Sequence, residues 1–395
     1  MNDNDSRPGL VVVAQELTPY RRHLHRRIVT EIPELKLWSL LTYDSRRSPW
    51  QGLEDPAIGV VRFGEGQEDA RRAGRAAAAA FELREGARIA SWLDQHRIAA
   101  ILSIGYTEWP LFRPLLWARR RRVPILFWAD ANIRADHPTG ARRVLKSLLF
   151  PRLVQWPAAL LPCGSLGRAY FLKYGASSDR IFLSPCEPDY AEIARTTADD
   201  VQAACARFSL ASGRRRILSC GRLSPAKRPD LALEAFLAIA DRRPEWDLVV
   251  AGTGPLGATL AARVPARLRD RVRFTGFIGE QAAVSALYRA CDVLVHVADF
   301  EPWALVINEA AAAGLAIVAT DVVGAAAELV RDGVNGQVVP QGDLAAIIAA
   351  LEGVTAQDRI DILRAASPGV LADWRRRADP IAGIRDALLR VDVLA

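Results

Sequence analysis

Short apolar runs alternate with helical stretches along almost the whole chain, and this alternation restricts the fold more than any single motif does. LVVVA (10–14), AAILSIG (99–105), PILFWAD (124–130) and AALLPC (158–163) lack the polar residue at every second position that a half-solvated sheet requires. They read as strands covered on both faces. LKLWSLLTY (35–43) and RIFLSPC (180–186) are further strand candidates. Between these runs lie helical patterns: an Arg/His-rich one near 20–31, an Ala/Arg/Glu-rich one from 68 to 96, one over about 108–122, a basic and apolar one near 140–154, and SLGRAYFLKYG at 165–175, which closes on a glycine.

The pattern then restarts. RRILSCGRL (215–223), DLVVAG (247–252), RVRFTGF (271–277), DVLVHVA (292–298), AIVATD (316–321) and GQVVP (336–340) are strands, separated by helices such as VSALYRAC (284–291) and ALVINEAAAAG (304–314). Strict β-α alternation implies parallel sheets with helices on both faces. With 395 residues, two such units fit better than one. The expected architecture is α/β: two Rossmann-like, doubly wound parallel sheets facing across a cleft. The expected division is 1–195, then 196–370, then a terminal helix over 371–395 that returns to the first domain; the boundary is expected in a loop-like stretch near 187–212.

Composition narrows the partners. The five cysteines are scattered without CxxC spacing, so a zinc site or disulfide framework is not expected, and a reducing cytoplasm is the default. No apolar stretch is long enough for a transmembrane helix, and the acidic start MNDNDSRPGL does not read as a secretory leader. Residues 1–190 carry 28 Lys and Arg against 20 Asp and Glu, and the remainder carries 24 against 25. The excess of positive charge therefore sits in the first half. An anionic membrane surface or a phosphorylated acceptor suits it, as does a merely solvated Arg-rich surface. Nucleic acid is not expected, because the basic half has no interleaved aromatics and no recognisable module. His23 and His25, flanked by arginines, read as a surface or membrane-contacting face, not a metal site. The helix at 141–156 reads either as a membrane-contacting helix or as a cover for the sheet, with the cover preferred.

In an open α/β sheet ligands bind beyond the carboxyl ends of the strands, and the charged residues of the second half lie there. Gly221-Arg222 follows a strand, with Lys227 five residues on; two fixed cations beside a helix start suit a diphosphate. Taken alone, both could be solvated loop residues. Glu301 lies in the loop before a helix and Glu309 on that helix within the apolar stretch VINEAAAAG, where a semi-buried acid needs a partner. A carboxylate so placed can accept from a ribose diol, and one in the loop can hold sugar hydroxyls. The N–H groups of Ala304 and Leu305 open the helix and suit an anionic oxygen. Gly252-Thr253-Gly254-Pro255-Leu256-Gly257 formally satisfies GxGxxG, but it does not follow the first strand of its domain, so a nicotinamide cofactor is not expected.

The order of segments, GRLSPAKRPDLALEAF, DLVVAGTGPL, RVRFTGFIG, then DVLVHVADFEPWALVINEAAAAGLAIVATD, resembles the donor domain of glycosyltransferase family 4, a retaining GT-B family, over about 215–345. The resemblance implies that Arg222 and Lys227 hold a donor diphosphate, and that Glu309 holds the ribose. Glu301 would contact the transferred sugar, aided by the backbone of Trp303, Ala304 and Leu305, and Phe277 and Ile278 would lie near the base. The first half is less similar. LLPCGSLGRAYFLKYGASSDRIFLSPCEPD resembles the segment that closes the acceptor domain, with Asp189 at its end. The glycine-rich loop expected after the first strand is here Thr18-Pro19-Tyr20-Arg21, and Arg21 is a candidate to face the cleft. The histidine that the family carries after the strand in VPILFWADAN is here Asp130, with His137 seven residues on. Asp130, Glu301, Arg222 and Lys227 are thus the candidate catalytic residues.

These readings imply transfer from a nucleotide diphosphate sugar, UDP-linked in preference to GDP-linked, to a glycan, a lipid-linked or a small-molecule acceptor in glycolipid or polysaccharide synthesis. No metal and no cofactor is expected. Two alternatives stay open: a GT-B protein that binds the donor but has lost catalysis, and a GT-B sugar-nucleotide epimerase.

Overall fold

The computed structural model describes residues 6–43, 53, 55–105 and 109–395. The first five residues, on which part of the reading against a leader rests, lie outside these. Two six-stranded sheets organise the chain. The first contains β1 (Gly9–Ala14), β2 (Lys36–Leu41), β3 (Gly59–Arg62), β4 (Ile98–Ile104), β5 (Ile125–Ala129) and β6 (Ala159–Pro162), in the order β3-β2-β1-β4-β5-β6. The second contains β7 (Arg215–Cys220), β8 (Trp246–Ala251), β9 (Val272–Gly276), β10 (Val293–His296), β11 (Ala316–Thr320) and β12 (Gly336–Val339), in the order β12-β11-β10-β7-β8-β9. The strand pairs are parallel in both sheets.

Numbered from its own first strand, each sheet has the order 3-2-1-4-5-6, the doubly wound arrangement whose strand order reverses between first and fourth strands. The apolar runs explain why. β1 and β8 are buried at every position, because helices cover both faces. The two switch points, β1/β4 and β7/β10, open crevices at the carboxyl ends, which is where a ligand can reach the backbone.

Four details depart from the sequence reading. The stretch 68–96 is two helices, Gln67–Arg72 and Arg75–Asp94, broken at Ala73 and Gly74. RIFLSPC is not a strand: it touches β6 through one bridge, Leu160 with Ile181, and through the amides of Phe182 and Ser184, after which Pro185 has no N–H to continue the ladder. The supposed loop at 187–212 holds two helices, Tyr190–Ala194 with Asp189 as N-cap and Ala198–Arg207 opened by a Thr197/Asp200 capping box. The terminal segment is also two helices. Ile360–Arg377 packs on the second sheet's helices, and only Pro380–Arg390 returns to the first domain, where it contacts the helix Pro19–Glu31 and β6. The break follows from Asp379, whose carboxylate caps the amides of Ile381 and Ala382, and from Pro380 at the first helical position.

The returning helix is part of the first domain's core. Ile381, Ile384, Ala387 and Leu388 pack in one cluster with Leu10, Val12, Ile28 and Leu37. No helix among the described residues is long and apolar enough to cross a membrane.

Candidate active site

Turns at the second switch point gather most of the residues singled out in the sequence. Gly221 follows β7 with φ 142°, and Gly252 follows β8 with φ 127°. The two turns touch: a Cβ on Gly252 would meet the Gly221 carbonyl oxygen at 2.0 Å, and Leu223 N–H donates to the Thr253 carbonyl at 3.0 Å. Gly252 and Gly254 of the GxGxxG match therefore serve close packing of adjacent turns, which accounts for these two glycines without a dinucleotide.

Next to these turns lies a cavity of about 470 Å³ lined by Gly221, Arg222, Thr253, Phe277, Ile278 and Tyr288, among others. Arg222 is exposed at its edge and has no side-chain partner among the described residues. Phe277 is 54% exposed, although apolar, whereas Ile278 is buried. Glu309 is half-buried behind the cavity and accepts from Gln281 Nε2 at 3.2 Å. The Tyr288 hydroxyl lies close enough to Glu309 and Cys220 to feel both, without a hydrogen bond of full geometry to either. Burial raises the Glu309 pKa above the ordinary carboxyl value, and Gln281 and Tyr288 only partly offset it.

A second group forms between β7 and β10. Lys227 Nζ lies 2.5 Å and His296 Nε2 lies 2.9 Å from the same atom, Glu301 Oε2. Oε1 of Glu301 is left without a partner among the described residues. Burial alone would raise the Glu301 pKa; the hydrogen bond and charge of His296, with those of Lys227, outweigh it and hold the carboxyl below its ordinary value. His296, 6% exposed, went unread in the sequence. The only signal was a polar residue closing the apolar strand DVLVH, five residues before a glutamate.

The helix Leu305–Ala313 starts beside this group without a side-chain cap. Its first amides are therefore open to an anionic ligand. Ala304 precedes it at φ 83°, a left-handed conformation that is strained for a residue with a Cβ. Trp303 points elsewhere: its ring is 4% exposed, and Nε1 donates to the Cys186 carbonyl of the first domain at 2.7 Å.

Across the cleft, Asp130 follows β5. It is reachable by solvent, yet the surrounding protein raises its pKa, the charge of Glu301 adds to the rise, and Arg21 and Lys227 oppose it. Asp130, Arg21, Lys227 and Glu301 therefore share one electrostatic environment, although they come from both domains. Arg21 donates to the Glu16 carbonyl at 2.8 Å and, with Tyr20, lines a small recess against Trp128 and Cys186. His137 is not brought in; it is exposed in the loop before the helix Gly140–Val154. Asp189 caps a helix, with His23 Nδ1 3.7 Å away.

The domains are pinned by contacts that no sequence spacing announces. Asn132 donates to the Val322 carbonyl at 2.8 Å, Ser165 N–H to Glu328 at 2.6 Å, and Asn308 to the Tyr190 hydroxyl at 2.8 Å. Among the described residues no three His, Cys, Asp or Glu side chains gather as metal ligands.

Comparison with known proteins agrees with this geometry. Residues 214–357 match the family described as glycosyl transferases group 1. The chain is 33% identical over 190 residues to the lipopolysaccharide core biosynthesis mannosyltransferase LpsB of Rhizobium meliloti, covering 45% of this chain and 53% of that protein. It is 37% identical over 164 residues to the D-inositol 3-phosphate glycosyltransferase of Streptomyces scabiei, covering 39% of this chain and 36% of that one. The matched part thus spans about half or less of these relatives. In fold, it superposes on Anabaena Alr3699/HepE, solved in complex with UDP and glucose, with a TM-score of 0.72 at 16% identity over 98% of this chain and 100% of that one. Residues 214–357 thus resemble the group 1 glycosyl transferases, and the two six-stranded sheets share the GT-B fold of the solved structure.

Proposed function

We propose that this chain transfers a sugar from a nucleotide diphosphate donor to an acceptor hydroxyl, with retention of anomeric configuration. The observation that carries the reading is an unpaired guanidinium, Arg222, which lines both a 470 Å³ cavity and a small adjoining recess walled by Lys227 and His296, the two partners of Glu301. In this reading the base lies between Phe277 and Ile278, and Glu309 accepts from the ribose diol. Arg222, Lys227 and the open end of the helix Leu305–Ala313 face the diphosphate. Glu301, fixed through Oε2, offers Oε1 to a sugar hydroxyl, and Asp130 approaches the reacting carbon from the other domain. Charge developing on the leaving diphosphate meets fixed cations and amides, so turnover is expected to persist in EDTA.

UDP is preferred to GDP as the carrier, by analogy with the ligand of the Anabaena protein. The acceptor is a glycan, a lipid-linked saccharide or a small molecule, in line with the lipopolysaccharide and inositol phosphate enzymes among the relatives. The division into domains follows the same scheme, with the acceptor on the side of β1–β6, the donor on the side of β7–β12, and the first domain turned towards an anionic membrane surface.

The test is a thermal-shift screen of UDP, GDP, ADP and their sugars, with and without EDTA, followed by turnover of the stabilising donor. Stabilisation of a few degrees by one nucleotide, insensitive to EDTA and abolished in Arg222→Ala, is the expected result. Donor binding without any transfer or hydrolysis would reassign the chain as a non-catalytic binding protein. Proton couplings of the new anomeric centre decide retention.

A further inference from the structure

We infer that the helix Gly140–Val154 is a docking element that lays the first domain on an anionic lipid surface. One side of this helix is fixed to the protein. Phe150 and Val154 are buried in a cluster with Phe127, Tyr170 and Tyr174, and Lys146 is ion-paired to the buried Asp136, which Lys173 and Tyr174 also contact. The other side is apolar and uncovered. Val144, Leu145, Leu148 and Leu149 are 60%, 58%, 58% and 54% exposed. Their spacing puts them on one stripe over two helical turns. Isolated exposed apolar residues are ordinary, but four on one stripe form a contiguous patch. The sequence alone favoured a helix that merely covers the sheet; the cover is only its inner face.

Charge identifies what covers the outer face. No Asp or Glu occurs between Asp136 and Asp179, whereas six Lys and Arg do. Arg143 and Arg152 are exposed on the helix itself. Just past its end Arg119 stacks over the Trp156 ring at 5.4 Å, and Arg119 is the first of four consecutive exposed arginines, 119–122. A second copy of this chain would bring these cations against themselves. An anionic bilayer satisfies both features: the leucines enter the acyl boundary and the arginines meet the headgroups. The helix also begins ten residues after Asp130, so a lipid-linked acceptor anchored in the same surface would reach the cleft from this side. In that last respect the inference rests on the proposed transfer reaction; the docking itself does not.

The experiment is co-sedimentation of the full chain with vesicles of phosphatidylcholine alone or of phosphatidylcholine and phosphatidylglycerol in equal parts. Three proteins are compared: the wild type, the double variant Leu145→Ser/Leu148→Ser, and the triple variant Arg119→Gln/Arg120→Gln/Arg122→Gln. The wild type should pellet only with the anionic vesicles. Each serine should weaken binding about tenfold, because an embedded leucine side chain is worth roughly that factor or more. The arginine variant should weaken binding too, and salt should weaken that of the wild type. Because the leucines are exposed, the serine variant should keep the wild-type melting temperature and its turnover of the donor in solution. No pelleting of the wild type, or equal pelleting of the serine variant, would overturn the inference, as would a wild-type dimer that the serines abolish. If solution turnover persists while pelleting fails, only the docking is wrong. If no donor is turned over while pelleting behaves as expected, the transfer reading fails and the docking stands.

Discussion

Replacing Trp303 by Phe separates two roles that the sequence merges. The residue lies between Glu301 and the helix start, yet its indole is buried and donates to the Cys186 carbonyl at 2.7 Å, across the domain boundary. Phenylalanine keeps most of the apolar contact, including that with Trp374, whose ring centroid is 6.2 Å away. It removes one donor and leaves the carbonyl unsatisfied. The expected loss is about 1–3 kcal/mol. If that energy holds the domains together, the equilibrium between closed and open arrangements shifts by about 5- to 150-fold. If it instead served only the fold of the second domain, the melting temperature would fall by roughly 2–4 °C per kcal/mol, without any change in domain separation. The assay is small-angle scattering with amide exchange around Ser184–Cys186, alongside thermal melting. A larger radius of gyration and faster exchange at that segment are expected, with only a small change in melting. Unaltered scattering and exchange would refute the reasoning that this indole is a domain latch.

Other consequences can be checked directly. Lys227→Ala removes a cation that offsets the burial of Glu301, so the Glu301 pKa rises and the acid limb of the rate profile moves to higher pH; an unmoved limb would remove Glu301 from the profile. Glu309 titrates above the ordinary glutamate value, so donor affinity, read by calorimetry, should fall as pH drops through that raised pKa; over the same window the ligand-free protein should gain stability, because the native state binds the extra proton. Gly164→Ala places a Cβ 2.8 Å from the Trp303 ring and 3.0 Å from Glu328 Oε1, and such overpacking should destabilise by about 1–3 kcal/mol in a denaturant titration.

Both sheets are legible in the sequence because strands buried on both faces must be largely apolar: β1 is so throughout, and β4, β8 and β10 each carry a single polar residue, Ser103, Asp247 and His296. Arg222, Lys227 and Glu301 were legible because they follow those strands, where a doubly wound fold exposes its crevice. β3 was not anticipated: its four residues are only partly buried at the sheet edge, so GVVR carries little pattern. The helices at 190–207 read as loop in the sequence, because their signal lies in the caps Asp189 and Thr197 and not in hydrophobic period. His296 and Gln281 were missed for another reason. Each is a single polar side chain whose meaning depends on a glutamate that the fold, not the spacing, brings near. The latch contacts were beyond reach for the same cause: Asn132 and Val322 are 190 residues apart.

The helix Pro380–Arg390 makes the order of synthesis matter. Gly383 sits so close to Leu183 that an added Cβ would lie 1.9 Å from its carbonyl oxygen, and Ile384 and Leu388 complete the core around β1. The second sheet and its helices come from one continuous stretch and can assemble while the chain is still growing. The first sheet cannot close its core until residue 388 has left the ribosome, although its own strands were made first. Of the two sheets, the one whose strands are made first has its core completed second. Through that interval the core faces of β1 and β4 await the cover that Ile384 and Leu388 supply.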